Sequence, residues 1–257
     1  MTNSRFTPLA LLNRRLAVMF PLGFLSGLPL ALTAGTLQAW LTVEGVDLKT
    51  IGVFTLVGLP YTLKFLWAPV IDRLVPPWLG RRRGWMVLTQ LCVALGVALM
   101  AVTSPRHHPE LLAGFALLVA FLAASLDIVF DAYRTETLES QERGFGAAVW
   151  VNGYRIALLV AGAGALVIAD LVGWRMTYLL LAGLMVLGTA IILLSPEPGR
   201  VAEAPKTMGE AIGAPLAEFF TRSHAVGFLA QDNFLGAPSR LARLYALLKE
   251  GLEGRQK

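Results

Sequence analysis

The chain has 257 residues, 56% of them hydrophobic and only 15% charged, with a mean hydropathy of +0.63. A soluble domain carries roughly 25% charged residues, so the composition excludes an ordinary soluble fold and points to a membrane protein. The net charge of +5 and a pI near 9.7 read as basic loops facing anionic lipid, not as a nucleic-acid footprint.

A spanning helix needs about 20 mostly apolar residues, and six segments meet that need. The first lies within Leu16–Leu41, inside an uncharged run to Val43 that is longer than a signal-peptide core. It is expected to stay in the protein. The second runs about Thr50–Ile71 and the third about Gly84–Thr103. The fourth is about Leu111–Phe130, the fifth lies within Gly146–Ala169, and the sixth is about Met176–Leu194. Pro21 and Pro29 in the first, and Pro60 and Pro69 in the second, are tolerable in a membrane and mark bends. Gly23 and Gly27 are spaced to let two helices approach closely, and Gly162 and Gly164 thin the fifth segment.

After Leu194 the composition changes to a Pro-, Gly- and charge-rich linker, then an amphipathic stretch over Arg240–Glu253. The expected domains are therefore a six-helix bundle over 1–195 and a linker with an amphipathic tail over 196–257. Counting Lys and Arg orients the bundle. One side holds Arg5, Arg14, Arg15, Arg73, Arg81, Arg82, Arg83, Arg134 and Arg143, and the other holds Lys49, Arg106 and Arg175. The basic side is expected to be cytoplasmic, with both termini on it.

The loop between the second and third segments carries much of that bias. It reads WAPVIDRLVPPWLGRRRGW, with Asp72, Arg73, Gly80, Arg81, Arg82 and Arg83 expected in a tight cytoplasmic turn. Its order resembles the G-x-x-x-D-R-x-G-R-R-R loop of major facilitator transporters. Ala68 replaces the first glycine, and 74–79 widen the spacing.

Charges within spanning segments are costly, by roughly 3 kcal/mol each, so they face a bundle interior or water. The candidates are Lys64, Asp127, Asp131 and Arg155. At 1.5 Å per residue, Lys64 lies roughly 21 Å and Asp127 roughly 24 Å from one side, and Arg155 roughly 14 Å from the other. Lys64 and Arg155 are placed to receive a carboxylate, and Asp127 to carry a proton. Asp131, one turn from Asp127, shares its face. Gln38, Asn152 and Tyr154 are polar neighbours suited to a substrate. The alternative is structural: the charges pair with one another and hold the bundle, and the neutral residues pack or end helices.

The single cysteine, Cys92, lies in an apolar run, so no internal disulfide forms. His107 and His108 form a solvated turn, and neither a metal nor a cofactor is expected. No G-x-S-x-G, H-E-x-x-H or P-loop pattern occurs, so the chain is not read as an enzyme or an ATP-driven pump.

A longer likeness then narrows the reading. SGLPLALTAGTLQAWLTVEGVDLKTIGVFTLVGLPYTLKFLWAPVIDR and GRRRGW, followed in order by DIVFDAYRTETL, ERGFGAA, NGYR and GWRMTY, resemble AmpG-type muropeptide permeases. The resemblance covers about Leu12 to Thr221. It implies an all-α polytopic major facilitator fold in a bacterial inner membrane, importing anhydro-muropeptides, sugar-peptide fragments of cell wall, with protons. It also implies at least twelve helices, in two six-helix halves with the site between them. This chain carries one half, and past Arg222 it departs from the family as a shifted frame or early stop would make it depart. A half of this kind is expected to be inactive alone, or to pair with a second half or a second copy. The competing reading is a non-transport membrane protein, either a half-length remnant or an assembly factor of the same superfamily.

Overall fold

The computed structural model describes residues 13–74, 76 and 78–199. The amphipathic tail and most of the expected linker lie outside the described residues. Among the described residues every regular element is helical. Five helices are long and apolar enough to cross a membrane: α1 (Arg14–Val43), α3 (Arg81–Val102), α4 (Pro109–Thr137), α5 (Arg143–Val172) and α6 (Trp174–Leu194). The protein is an all-α polytopic membrane protein. Between α1 and α3 lies α2, over 48–73.

The second expected span is not one continuous helix. It is a relay of short pieces: α-helix at Leu48–Phe54, 3-10 at Thr55–Gly58, α-helix at Leu59–Leu63, 3-10 at Lys64–Leu66 and α-helix at Ala68–Arg73. Proline is the reason. Pro60 and Pro69 each sit in the first turn of a new α-helical piece. A proline lacks the N–H for the preceding turn and clashes with the carbonyl four residues back, so the helix restarts at each. Elsewhere the helices run longer than expected. α4 continues to Thr137 and carries Asp131, Arg134 and Glu136 on regular helix. Arg81, Arg82 and Arg83 form the first turn of α3 instead of a loop.

α1 breaks at Val18 and again at Ala34, whose φ and ψ are both −109°. α5 contains a π-helical turn at Val160–Gly164. The two irregularities meet, because the Thr36 hydroxyl donates to the Ala161 carbonyl at 2.6 Å. α1 packs along α5, α3 packs against α4 and α6, and α4 also meets α1 and α2.

The α1–α5 contact is backbone to backbone. A Cβ on Gly27 would lie 2.7 Å from the Tyr154 carbonyl oxygen and 2.8 Å from the Ala157 Cβ. Gly23 and Gly153 are closed in the same way by the Trp150 and Phe20 carbonyls. Small residues here allow the close approach that drives helix association in lipid. On the far side, Tyr178 donates to the Leu32 carbonyl at 2.9 Å, and Gln90 of α3 donates to the Met185 carbonyl of α6 at 3.1 Å. Of the five long spans, α5 is the least covered: 17% of its apolar stretch is buried, against 61% in α1.

Candidate functional site

Asp127 on α4 is the point on which four helices converge. Its carboxylate accepts a 2.6 Å hydrogen bond from Ser26 of α1. Tyr61 of α2 and Tyr154 of α5 both lie within charge-interaction range of it. So do Lys64 of α2 and its own helix neighbour Asp131. A lone carboxylate at membrane depth has no water to solvate it, so this polar lining is what makes the position tolerable.

One turn along α4, Asp131 is shared by two cations. Lys64 Nζ lies 3.4 Å from its Oδ2, and Arg134 donates to its Oδ1 at 3.1 Å. Arg134 is held in turn over the Trp150 ring, 5.4 Å from the centroid. Half the Asp131 side chain is exposed, so both pairs are weak on the scale of exposed ion pairs.

The predicted set therefore divides. Lys64, Asp127, Asp131 and Tyr154 are brought together. Arg155, one residue beyond Tyr154, is exposed on α5 and makes no ion pair among the described residues. Asn152 is also exposed, and its amide donates back to the Ala148 carbonyl of its own helix at 2.8 Å. Gln38 is half-buried on α1. The depths shift as well. α5 starts at Arg143 and not Gly146, so Arg155 lies roughly 18 Å along it. Asp127 is roughly 15 Å from the far end of α4, at Thr137.

The sequence reading missed Ser26 and Tyr61. Each sits among prolines and small residues, which drew the reading of those stretches to bends and close packing. The signal was present, since Tyr61 lies one turn before Lys64, on its face.

A second cluster lies at the end of the bundle that bears the arginines. Arg82 is only 4% exposed. Its guanidinium donates to Asp72 at 2.7 Å and grips Glu136 with two nitrogens, Nε at 2.9 Å. Arg81 donates to the Asp72 carbonyl at 2.8 Å. The motif expected as a tight cytoplasmic turn is thus partly a buried ion network, because two carboxylates neutralise Arg82. Arg73 remains exposed and Arg83 is half-buried.

Gly80 supplies no side chain to cap α3. Instead the Glu197 carboxylate accepts from the backbone N–H groups of Arg82 and Arg83 at 3.0 and 3.1 Å. A negative group at a helix N-terminus is favoured by the dipole and by the unsatisfied donors there. Gly80 has φ +87°, and a Cβ on it would lie 2.6 Å from the Glu197 carboxyl carbon. Tyr133 donates to the neighbouring Pro196 carbonyl at 2.8 Å.

The family model for the Major Facilitator Superfamily matches residues 13–248. The chain is 50% identical over 212 residues to the anhydromuropeptide permease of Escherichia coli K12, covering 82% of this chain and 43% of that protein. It is 39% identical over 222 residues to an uncharacterized protein of Haemophilus influenzae, covering 84% and 52% of the two chains. It is 32% identical over 225 residues to the putative transporter AmpG 4 of Rickettsia conorii, covering 84% and 54%. The chain spans about half the length of the curated relatives it matches.

Proposed function

Because this chain belongs to the major facilitator superfamily, we propose that it forms one six-segment half of a secondary transporter and is not an enzyme. The substrate is a sugar-peptide of the anhydromuropeptide class, by likeness to the Escherichia coli permease, and import is coupled to protons. The protein sits in a bacterial inner membrane with its arginine-rich end and both termini in the cytoplasm. The observation that carries the reading is the convergence of Ser26, Tyr61, Tyr154 and Lys64 on Asp127. A carboxyl lined by hydroxyls and one ammonium, at membrane depth, is suited to take and release a proton.

In this reading Arg155 serves a different role. It is exposed one residue beyond Tyr154, on the least covered of the five long spans. A charge there is unfavourable against lipid and favourable in a water-filled path between two halves. Its guanidinium is suited to a substrate carboxylate.

The test is uptake of labelled anhydromuropeptide by membrane vesicles. One set contains this chain alone, and another contains it with a separately expressed second half from the Escherichia coli permease. Uptake that collapses with a protonophore in either set supports the proposal. Absence of uptake in both, with the chain shown to be present, rejects it in favour of a non-transport membrane protein.

A further inference from the structure

Lys64 is paired where it is least needed. Asp131 already has a cation, Arg134, at 3.1 Å, and Lys64 adds a second at 3.4 Å. Asp127, one turn away on the same helix, has among the described residues only the neutral Ser26 hydroxyl as a hydrogen-bond partner. Among the described residues, the charged groups that act on Asp127 are Lys64 and Asp131, with the hydroxyls of Tyr61 and Tyr154 beside it. The two carboxylates are on the order of 6 Å apart along α4, a step a lysine stem makes by changing rotamer. Lys64 also begins a 3-10 piece between two α-helical pieces of α2, where the backbone is not locked into a long helix.

Charge counting then decides which arrangement holds. With Asp127 protonated, Lys64, Arg134 and Asp131 sum to one positive charge, and Lys64 has only Asp131 to pair with. With Asp127 ionised, the four groups sum to zero when each carboxylate has its own cation. Leaving Lys64 on Asp131 would then strand a bare carboxylate at membrane depth beside an over-supplied one.

We propose that Lys64 shuttles between the two carboxylates of α4, pairing with Asp131 while Asp127 holds the proton and with Asp127 once the proton has left. The proposal rests on the reading of Asp127 as the proton carrier and adds how its charge state is passed to α2. Only the carboxyl O–H of Asp127 breaks and re-forms. The proton passes to and from water, and Lys64 stays an ammonium throughout. Because Lys64 belongs to α2 and both carboxylates to α4, each proton event moves a contact between two helices.

The test reads the protonated carboxyl directly and needs no transported substrate. The 257-residue chain in lipid vesicles is treated with dicyclohexylcarbodiimide at neutral pH, and adduct at Asp127 is measured by peptide mass spectrometry. Lys64→Gln removes the cation that acts on the ionised form and should raise labelling about fivefold. Asp131→Asn leaves Lys64 to Asp127 alone and should lower labelling about fivefold. Lys64→Arg should restore the wild-type level, which separates loss of the cation from loss of the fold. The double variant is decisive. In the Lys64→Gln background, Asp131→Asn should change labelling clearly less than in the wild-type background, since its competition for Lys64 is gone and only its direct repulsion of Asp127, damped by Arg134, remains. An equal effect of Asp131→Asn in both backgrounds, or no effect of Lys64→Gln, overturns the shuttle and leaves Asp127 as a proton site. No adduct at Asp127 in any form, Lys64→Gln included, removes Asp127 as the proton site.

Discussion

Single side chains in this protein differ sharply in what their loss should cost, and burial with partner number is the reason. Arg82 is buried and satisfies two carboxylates, Asp72 and Glu136. Arg82→Ala would leave Glu136 without its cation and Asp72 with only the more distant Arg81, 4.0 Å away, a loss on the order of 3–5 kcal/mol. Thermal unfolding in detergent should show a clear drop. Arg82→Lys should recover only part of it, because an ammonium cannot reproduce the two-nitrogen grip. Arg15 pairs with Glu139 at 3.0 Å, but both side chains are about half exposed or more. Arg15→Ala should leave the unfolding midpoint nearly unchanged. The candidate pathway residues divide by role. In a form that transports, Arg155→Ala should abolish uptake, while Asp127→Asn should slow or uncouple it. Wild-type uptake across a range of pH in both variants would remove them from the site.

Among whole elements, the α1–α5 contact and the broken α2 carry the most weight. Gly27→Ala puts a methyl group within 2.8 Å of Ala157 and 2.7 Å of a backbone oxygen, so the helices must separate. Overpacking of this kind costs about 1–3 kcal/mol. Gly183 on α6 has nothing within 4 Å of an added Cβ. Gly183→Ala should be neutral or slightly stabilising, since alanine is the better helix former. A pair of melting curves checks the contrast, and equal midpoints would refute the close-contact reading. The breaks in α2 place Lys64 at the start of a 3-10 piece, so the hinge and the cation coincide. Straightening α2 by Pro60→Ala should therefore disturb the Lys64–Asp131 pair as well as the helix. The carbodiimide labelling of Asp127 would register that change.

For the whole molecule, orientation is the property to test. The basic end holds the Arg82 network, and a Lys/Arg excess marks the cytoplasmic side. Cysteines placed at Ser4 and at Gln256, in a chain whose Cys92 has been replaced, should react with impermeant thiol reagents only after the membrane is opened. Both positions lie outside the described residues, so the experiment reads topology alone. Reaction of either in intact spheroplasts would invert or break the proposed arrangement. The uncovered face of α5 belongs to the same scale. It joins an exposed Arg155 to a mostly apolar helix, as expected of a surface that meets a second half around a polar path.

Much of this was legible in the order of residues, and for a definite reason. Hydrocarbon imposes a length and a polarity on every span, so composition alone identified a polytopic helical protein and most span positions. The same cost of charge in lipid singled out Lys64, Asp127, Asp131 and Arg155. What distances along the chain cannot carry is partnership. Ser26 meets Asp127 across 101 residues, and Glu197 caps α3 across 115. Nothing in the local pattern of either residue points to its partner. The breaks of α2 were half legible: the prolines were visible, yet whether a proline bends a helix or restarts it depends on the neighbours that satisfy the freed carbonyls. Arg82 and Arg73 lie in one basic motif, but only packing against Asp72 and Glu136 made one a buried anchor and left the other exposed. Charge and hydropathy are properties of residues and are read in one dimension. Neutralisation and capping are properties of pairs, and only the folded bundle chooses the pairs.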